Sequence, residues 1–196
     1  TGTYFFLYVV TLSASGLPAE RFGLKRILVL SSLIAAVGLL GFGLAGDYPS
    51  LLVVAGLHGA GAGPYYAMAY SLMIYAVPAR LRGMASGLVN GGMSLGLVAG
   101  LAMAGPLYAA TGSWRAPFLI LALPSFLAVL LYQLLVREAR AERRAVSLGA
   151  LLADPTLLCM NLAGFCVLYG WWVVLSWGPV FFQVERGVGL TRSGLY

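Results

Sequence analysis

The sequence predicts an all-α membrane protein, and three observations carry that prediction. Six apolar runs have roughly membrane-spanning length, the charges are confined to the stretches between or beyond them, and the chain is 61% hydrophobic against 9% charged. A soluble domain carries about 25% charged and about 45–50% apolar residues. A soluble chain of 196 residues does not cover its surface with 12 basic and 6 acidic side chains. The composition therefore places the chain in lipid, with the bilayer as its first partner.

A spanning helix needs about 20 apolar residues. The first run, residues 1–17, is short because the chain opens inside it. The second is Ile27 to Gly46, the third Leu51 to Val77, and the fourth roughly Met84 to Ala110. The fifth is Pro117 to Val136 and the sixth Thr156 to Gln183. The third, fourth and sixth exceed the minimum, which predicts tilt or kinks. Pro64, Pro106, Pro124 and Pro179 lie inside runs, where membrane helices tolerate proline. Cys159 and Cys166 share the sixth run. On a helix they stand about 10 Å apart along the axis, too far to bond each other, so they read as packing residues.

The connections alternate in charge. Arg21, Lys25 and Arg26 follow the first run, Arg80 and Arg82 follow the third, and Arg137, Arg140, Arg143 and Arg144 follow the fifth. The opposite side holds Asp47, Arg115, Arg186 and Arg192. Nine basic residues thus face three, and the excess of Lys and Arg in cytoplasmic loops predicts that positions 18–26, 78–83 and 137–155 are cytoplasmic. The same asymmetry explains the net charge of +6 without a nucleic-acid partner. The longest connection divides the chain: residues 1–136 form one transmembrane bundle, 137–155 an interdomain linker, and 156–196 the start of a second bundle. Within the linker, "VSLGALLADP" reads either as a surface-lying segment or as a solvated turn.

"GLPAERFGLKR", residues 16–26, concentrates Glu20, Arg21, Lys25 and Arg26 between two apolar runs. A tight turn needs glycine for unusual backbone angles, and an acid beside helix N-termini is favoured by the helix dipole. In order, Gly16, Ala19, Glu20, Arg21, Gly23, Lys25 and Arg26 resemble the signature loop between the second and third helices of the major facilitator superfamily. The departures are Glu20 for Asp, Pro18 for Leu and Leu24 for a basic residue. "PARLRGMASGLVNGGMSLG" resembles that family's link from helix four to helix five, "TGSWRAPFLI" the start of helix six, and "SWGPVFFQVERGVGLTRSGL" the outer end of helix seven with the approach to helix eight. The resemblance covers nearly the whole chain and implies a truncated bundle holding helices two to seven, the first of the N-terminal bundle being absent. It also implies that the loop gates one rocking bundle against another.

Candidate solute-contacting or coupling residues come from polar groups inside the runs. His58 is the one spanning side chain that titrates near neutrality, and intramembrane ionisable groups mark function by default. By helical spacing Ala62, Tyr65 and Ala69 share its face. His58 reads either as a coupling or substrate group or as a neutral imidazole bonded to a neighbouring helix. Asn161, Phe165, Leu168 and Trp172 share a face of the sixth run, an aromatic wall with one amide; Trp177 and Phe181 read as interfacial anchors. Asn90 and Ser94 face either a cavity or another helix. The resemblance makes helices four and seven cavity-lining. The Arg and the acid that the family often carries on helix four fall here at Ala55 and Ala62.

No nucleophile with a base, metal-ligand cluster or phosphate-cradling loop is present in the sequence, so neither an enzyme nor a cofactor or metal is expected. The resemblance implies a monomeric secondary active transporter in the cell (inner, plasma) membrane. It leans to an organic anion, a carboxylate, carried by proton symport with alternating access. A drug or metabolite efflux antiporter and a non-transporting multi-pass scaffold are the alternatives. Gly105-Pro106 followed by "LYAATG" lacks the paired glycines of drug antiporters, and the sixth run lacks a basic residue to hold a sugar phosphate.

Overall fold

The computed structural model describes residues 2–139, 149, 153–187 and 189. Most of the expected linker (140–148 and 150–152) and the approach to helix eight (188 and 190–196) lie outside the described residues. The elements are α1 (Gly2–Ala14), α2 (Gly16–Phe22), α3 (Leu24–Leu44), α4 (Tyr48–Ala62), α5 (Pro64–Ala76), a 3-10 turn (Ala79–Leu81), α6 (Arg82–Thr111), α7 (Arg115–Leu135) and α8 (Pro155–Arg186). There is no strand among the described residues. The fold is an all-α membrane bundle.

Four continuous helical stretches, Leu24–Leu44, Ala79–Thr111, Arg115–Leu135 and Pro155–Arg186, are long and apolar enough to cross a bilayer. The two other apolar runs are interrupted, for local reasons. The third run splits into α4 and α5 at Gly63, whose backbone stays helical (φ −54°, ψ −52°) and whose N–H still bonds Gly59 O at 3.0 Å. Pro64 has no N–H to continue the ladder, so the run divides there while the backbone path stays helical. The first run ends at Ala14, and "GLPAERF" folds as the separate α2. The turn itself is Gly23 alone, at φ +94° and ψ 153°, a conformation that an L side chain resists.

Few side chains are deeply buried. The buried cluster is Ala19, Leu24, Leu28 and Met68, with Tyr65 and Tyr132 packed against it. Between apolar helices in lipid, association depends on close packing rather than on removing surface from water. α4 shows this most clearly. It lies between α1 and α3 and turns glycine to both. A methyl at Gly59 would strike the Tyr4 carbonyl, and one at Gly63 the Tyr8 carbonyl, both on α1. A methyl at Gly61 would reach Ser31 O of α3 at 2.6 Å, and one at Gly38 of α3 would reach His58 N of α4 at 2.6 Å. α3 and α7 pack through Phe42 stacked on Phe118, ring centroids 5.3 Å apart, with Gly43 under the Leu119 side chain. By contrast, α6 and α8 have no buried residue; Trp172 of α8 meets Phe5 of α1 edge-on at 5.2 Å.

The helix ends are closed by polar groups, as their orphan N–H and C=O groups require. At the N-terminus of α4, Ser50 N donates to Asp47 Oδ1 at 2.9 Å and Asp47 N donates to Ser50 Oγ at 3.2 Å, a reciprocal capping box. Hydrogen bonding by Ser50 holds the Asp47 carboxyl below its ordinary value. Asp154 caps α8, accepting from Thr156 N and Leu157 N. Three C-termini are closed by cations from a neighbouring element. Arg82 donates to Ile74 O of α5 (2.9 Å) and to Val77 O just past its end (3.3 Å). Arg115 donates to Ala45 O at the end of α3 (3.0 Å), with its guanidinium 4.7 Å from the Trp114 ring. Lys25 Nζ donates to Gln133 O of α7 (2.7 Å).

The glycine contacts set a test. In the full-length protein, Gly61→Ala is expected to lower stability by about 1–3 kcal/mol through overpacking, read as a lower unfolding midpoint in detergent. Gly46→Ala, whose methyl meets nothing within 4 Å, is expected to stay within about 0.5 kcal/mol of wild type. Equal shifts in the two variants contradict the backbone contact.

Candidate functional site

The described residues offer two polar constellations and one isolated imidazole. The first constellation surrounds the α2–α3 turn. Directly past the end of α7, Glu138 lays its carboxylate over Gly23, where any Cβ would collide with it at 2.7 Å from the carboxyl carbon. Lys25 N donates to Glu138 Oε1 at 3.1 Å, and Arg26 Nε lies 4.0 Å from Glu138 Oε2. Leu24 N donates to Ala139 O at 3.0 Å. An acid at the first turn of a helix satisfies orphan N–H groups and complements the dipole, and here it comes from 113 residues away in sequence. Of the expected loop residues, Gly23, Lys25 and Arg26 are thus brought together. Gly16, Glu20 and Arg21 lie on α2, all exposed. Arg21 has no partner among the described residues. Glu138 was passed over in the sequence; its signal was an acid next to Arg137 at the end of an apolar run.

The second constellation lies on the α5–α6 seam. Asn90 Nδ2 donates to Tyr70 Oη at 2.7 Å and to Ser86 O at 3.0 Å. The rings of Tyr66 and Tyr70 stack 6.1 Å apart, and the Tyr66 hydroxyl donates to Met93 Sδ. Both hydrogens of the Asn90 amide are engaged, so its Oδ1 remains an acceptor. Tyr70 Oη accepts, so its own hydrogen is available to donate. Ser94 Oγ turns back to Asn90 O of its own helix at 3.1 Å. Asn90 is exposed on the described bundle. Polar side chains at bilayer depth face protein or a watery cavity, not lipid. Tyr66 and Tyr70 were not singled out in the sequence, although their spacing of four after Pro64 places them on one helix face.

His58 is half-buried between α1, α3 and α4. Its Nδ1 is 2.8 Å from Ala35 O. A carbonyl only accepts, so Nδ1 carries the hydrogen and Nε2 is left with the ring's lone pair. The ring stacks on Tyr4 at 5.6 Å and meets Phe42 edge-on at 6.3 Å. Tyr65, expected on its face, lies beyond the division at Gly63 and packs against Tyr132 and the buried cluster. The two residues therefore have different neighbours. On α8, Asn161 Nδ2 bonds Leu157 O of its own helix at 2.8 Å, about 16 Å along the axis from Trp172. The candidates accordingly fall in separate places: Asn90 pairs with a side chain of α5, His58 with a backbone carbonyl of α3, and Asn161 with its own helix. Cys159 and Cys166 are free and exposed on α8.

The sequence profile of the Major Facilitator Superfamily matches residues 1–196. The chain is 28% identical to a probable sulfoacetate transporter of Cupriavidus necator, over 92% of this chain and 47% of that protein. It is 26% identical to a probable chloroplastic anion transporter of Oryza sativa subsp. japonica, over 98% of this chain and 36% of that protein. It is 25% identical to a cis,cis-muconate transport protein of Acinetobacter baylyi, over 92% of this chain and 48% of that protein. The chain spans between about a third and a half of the length of these relatives. Its helical bundle, its signature loop and the profile agree, and the chain belongs to the Major Facilitator Superfamily.

Proposed function

We propose that the chain is part of a secondary active transporter that carries a small carboxylate by proton symport with alternating access. The observation that carries this reading is the Tyr70–Asn90 pair. It places one hydroxyl donor and one amide acceptor between long apolar stretches, where polar groups are expensive unless used. A carboxylate binds such donors, and the Tyr66 and Tyr70 rings give its carbon skeleton an apolar wall. The names of the relatives, sulfoacetate, muconate and anion transporters, support an organic anion. Residues 1–136 belong to one rocking bundle, 137–155 to the linker and 156–196 to the next bundle, where Asn161 and Trp172 complete the solute contacts. The membrane is the cell's plasma membrane, with positions 18–26, 78–83 and 137–155 cytoplasmic and the protein a monomer. His58 Nε2 is the proton-accepting atom, and the α2–α3 turn is the cytoplasmic gate.

The test uses the full-length protein in proteoliposomes with a panel of small carboxylates, recording labelled uptake and substrate-evoked proton movement. One acid is expected to give both signals. Tyr70→Phe is expected to raise KM about tenfold, the loss of one hydrogen bond to a charged group, with the unfolding midpoint retained. His58→Gln is expected to abolish proton movement while solute binding persists. If proton movement is unchanged, His58 has no coupling role. If binding and the unfolding midpoint fall together, the imidazole is only a cross-link between α3 and α4.

The gate reading has its own variant. Glu138→Gln keeps an acceptor for Lys25 N but removes the ion pair with Arg26. Both side chains are well exposed, so a cost of only about 0.5–1 kcal/mol is expected. Hydrogen exchange at the Leu24–Arg26 amides is expected to quicken and the transport rate to change. Unchanged exchange and rate contradict a role for Glu138 in the gate.

A further inference from the structure

A groove of about 260 Å³ opens between α1–α2 and α3, with Ala60 and Pro64 of the α4–α5 pair among its lining. Its walls include Thr11, Ser15, Pro18, Ile27, Leu30 and Ile34. The hydroxyls on the walls are already engaged. Thr11 Oγ1 bonds Leu7 O at 2.8 Å, Ser15 Oγ bonds Leu12 O at 2.7 Å, and Ser31 Oγ bonds Leu28 O at 3.1 Å. Each turns its hydrogen back into its own helix, so the groove presents a hydrocarbon lining and suits a hydrocarbon occupant rather than a hydrated solute.

The rim is different. Arg21 follows Pro18 by three residues on α2, and Arg26 precedes Leu30 by four on α3, so each cation shares a helix face with a lining residue. Arg26 is 76% exposed and meets Glu138 through Nε. Its terminal guanidinium nitrogens have no partner among the described residues, and a guanidinium engages phosphate oxygens in bidentate fashion. The α3 wall from Ile27 to Ile34 runs about 10 Å along the helix axis, roughly two thirds of the hydrocarbon depth of one leaflet. An apolar slot of that depth, with two cations three and four residues along their helices from its lining, has the charge and polarity pattern of a lipid rather than of a free ion.

We propose that this groove holds one acyl chain of an anionic phospholipid from the leaflet at the Arg21–Arg26 end, with its phosphate on those two guanidiniums. Clusters of Lys and Arg next to membrane helices recognise anionic headgroups in this way. Because Arg26 also approaches Glu138, a bound phosphate and the α2–α3 turn share one side chain, and lipid occupancy changes the charge around the turn.

The test uses the full-length protein in nanodiscs of phosphatidylcholine containing a minority of phosphatidylglycerol, with release into detergent and native mass spectrometry. One retained phosphatidylglycerol per protein is expected, at about thirtyfold preference over phosphatidylcholine, as two interfacial cations imply. Arg21→Gln with Arg26→Gln is expected to erase the preference while lowering the unfolding midpoint only slightly, the small cost of losing the exposed Arg26–Glu138 pair. Ala60→Leu, which narrows the groove, is expected to remove the adduct. Should that variant not fold, a Trp placed at Leu30 in the wild-type background is expected to be quenched more by bromine-labelled acyl chains under a phosphoglycerol headgroup than under phosphocholine. Equal retention or equal quenching of the two lipids overturns the proposal. So does a preference that survives the double glutamine change, and so does a Trp at Leu30 that no brominated lipid quenches, the outcome expected if another helix fills the groove.

Discussion

The bundle depends on α4 lying against two backbones at once. Gly59 and Gly63 bring it onto the carbonyls of α1, while Gly61, with Gly38 on the other side, brings it onto α3. In lipid the usual drive to bury apolar surface is missing, and van der Waals contact at short range has to supply association. Such contact falls away steeply with distance, so a single methyl at these positions separates helices rather than indenting a side chain. The remaining features follow from this clamp. Pro64 divides α5 from α4 directly after the last close glycine, and His58 is pinned to Ala35 O because Gly38 lets the two backbones meet there.

Charge is used twice. Lys25, Arg82 and Arg115 stand at membrane boundaries where any charge is forced to stand, and each also closes the C-terminus of another element. Each terminal carbonyl is an unsatisfied acceptor in a medium that offers few donors. A guanidinium or ammonium from the next helix serves it and simultaneously fixes the spacing of two helix ends. Glu138 does the mirror-image work, an acid from the end of α7 serving the N–H groups that begin α3. The α2–α3 turn is held by this pairing on one side and by Gly23 on the other, so it is a built corner and not a loose loop.

Much of this was legible in the residues. Runs near 20 apolar residues and the absence of charge inside them mark spans because a bilayer permits little else, and Gly23 was readable as a turn. The length of the third run and Pro64 predicted a tilt or kink, but not that the run divides at Gly63 with its backbone still helical. His58 and Tyr65, which an unbroken helix places on one face, lie on either side of that division and have different neighbours. Glu138 was hidden for a different reason: its partners are 113 residues away, and an acid among arginines looks like ordinary solvated surface. Tyr66 and Tyr70 were hidden by chemistry, because a tyrosine in an apolar run reads as bulk until a neighbour such as Asn90 engages its hydroxyl.

The clamp and the polar seam lie in different parts of the molecule, and the separation has mechanical sense. α1, α3 and α4 touch backbone to backbone and cannot slide without large steric cost. α6 makes no buried contact and carries Gly83, Gly87, Gly91, Gly92, Gly96 and Gly100 in open space. Midway along the seam, the hydrogen bonds from Asn90 to Tyr70 and from Tyr66 to Met93 join α6 to α5 side chain to side chain. Side-chain hydrogen bonds between membrane helices are individually modest, about 0.6 kcal/mol on average, so they can be exchanged for bonds to another partner with little loss. A seam of that kind, set beside a rigid three-helix block, is what the proposed transport reading calls for.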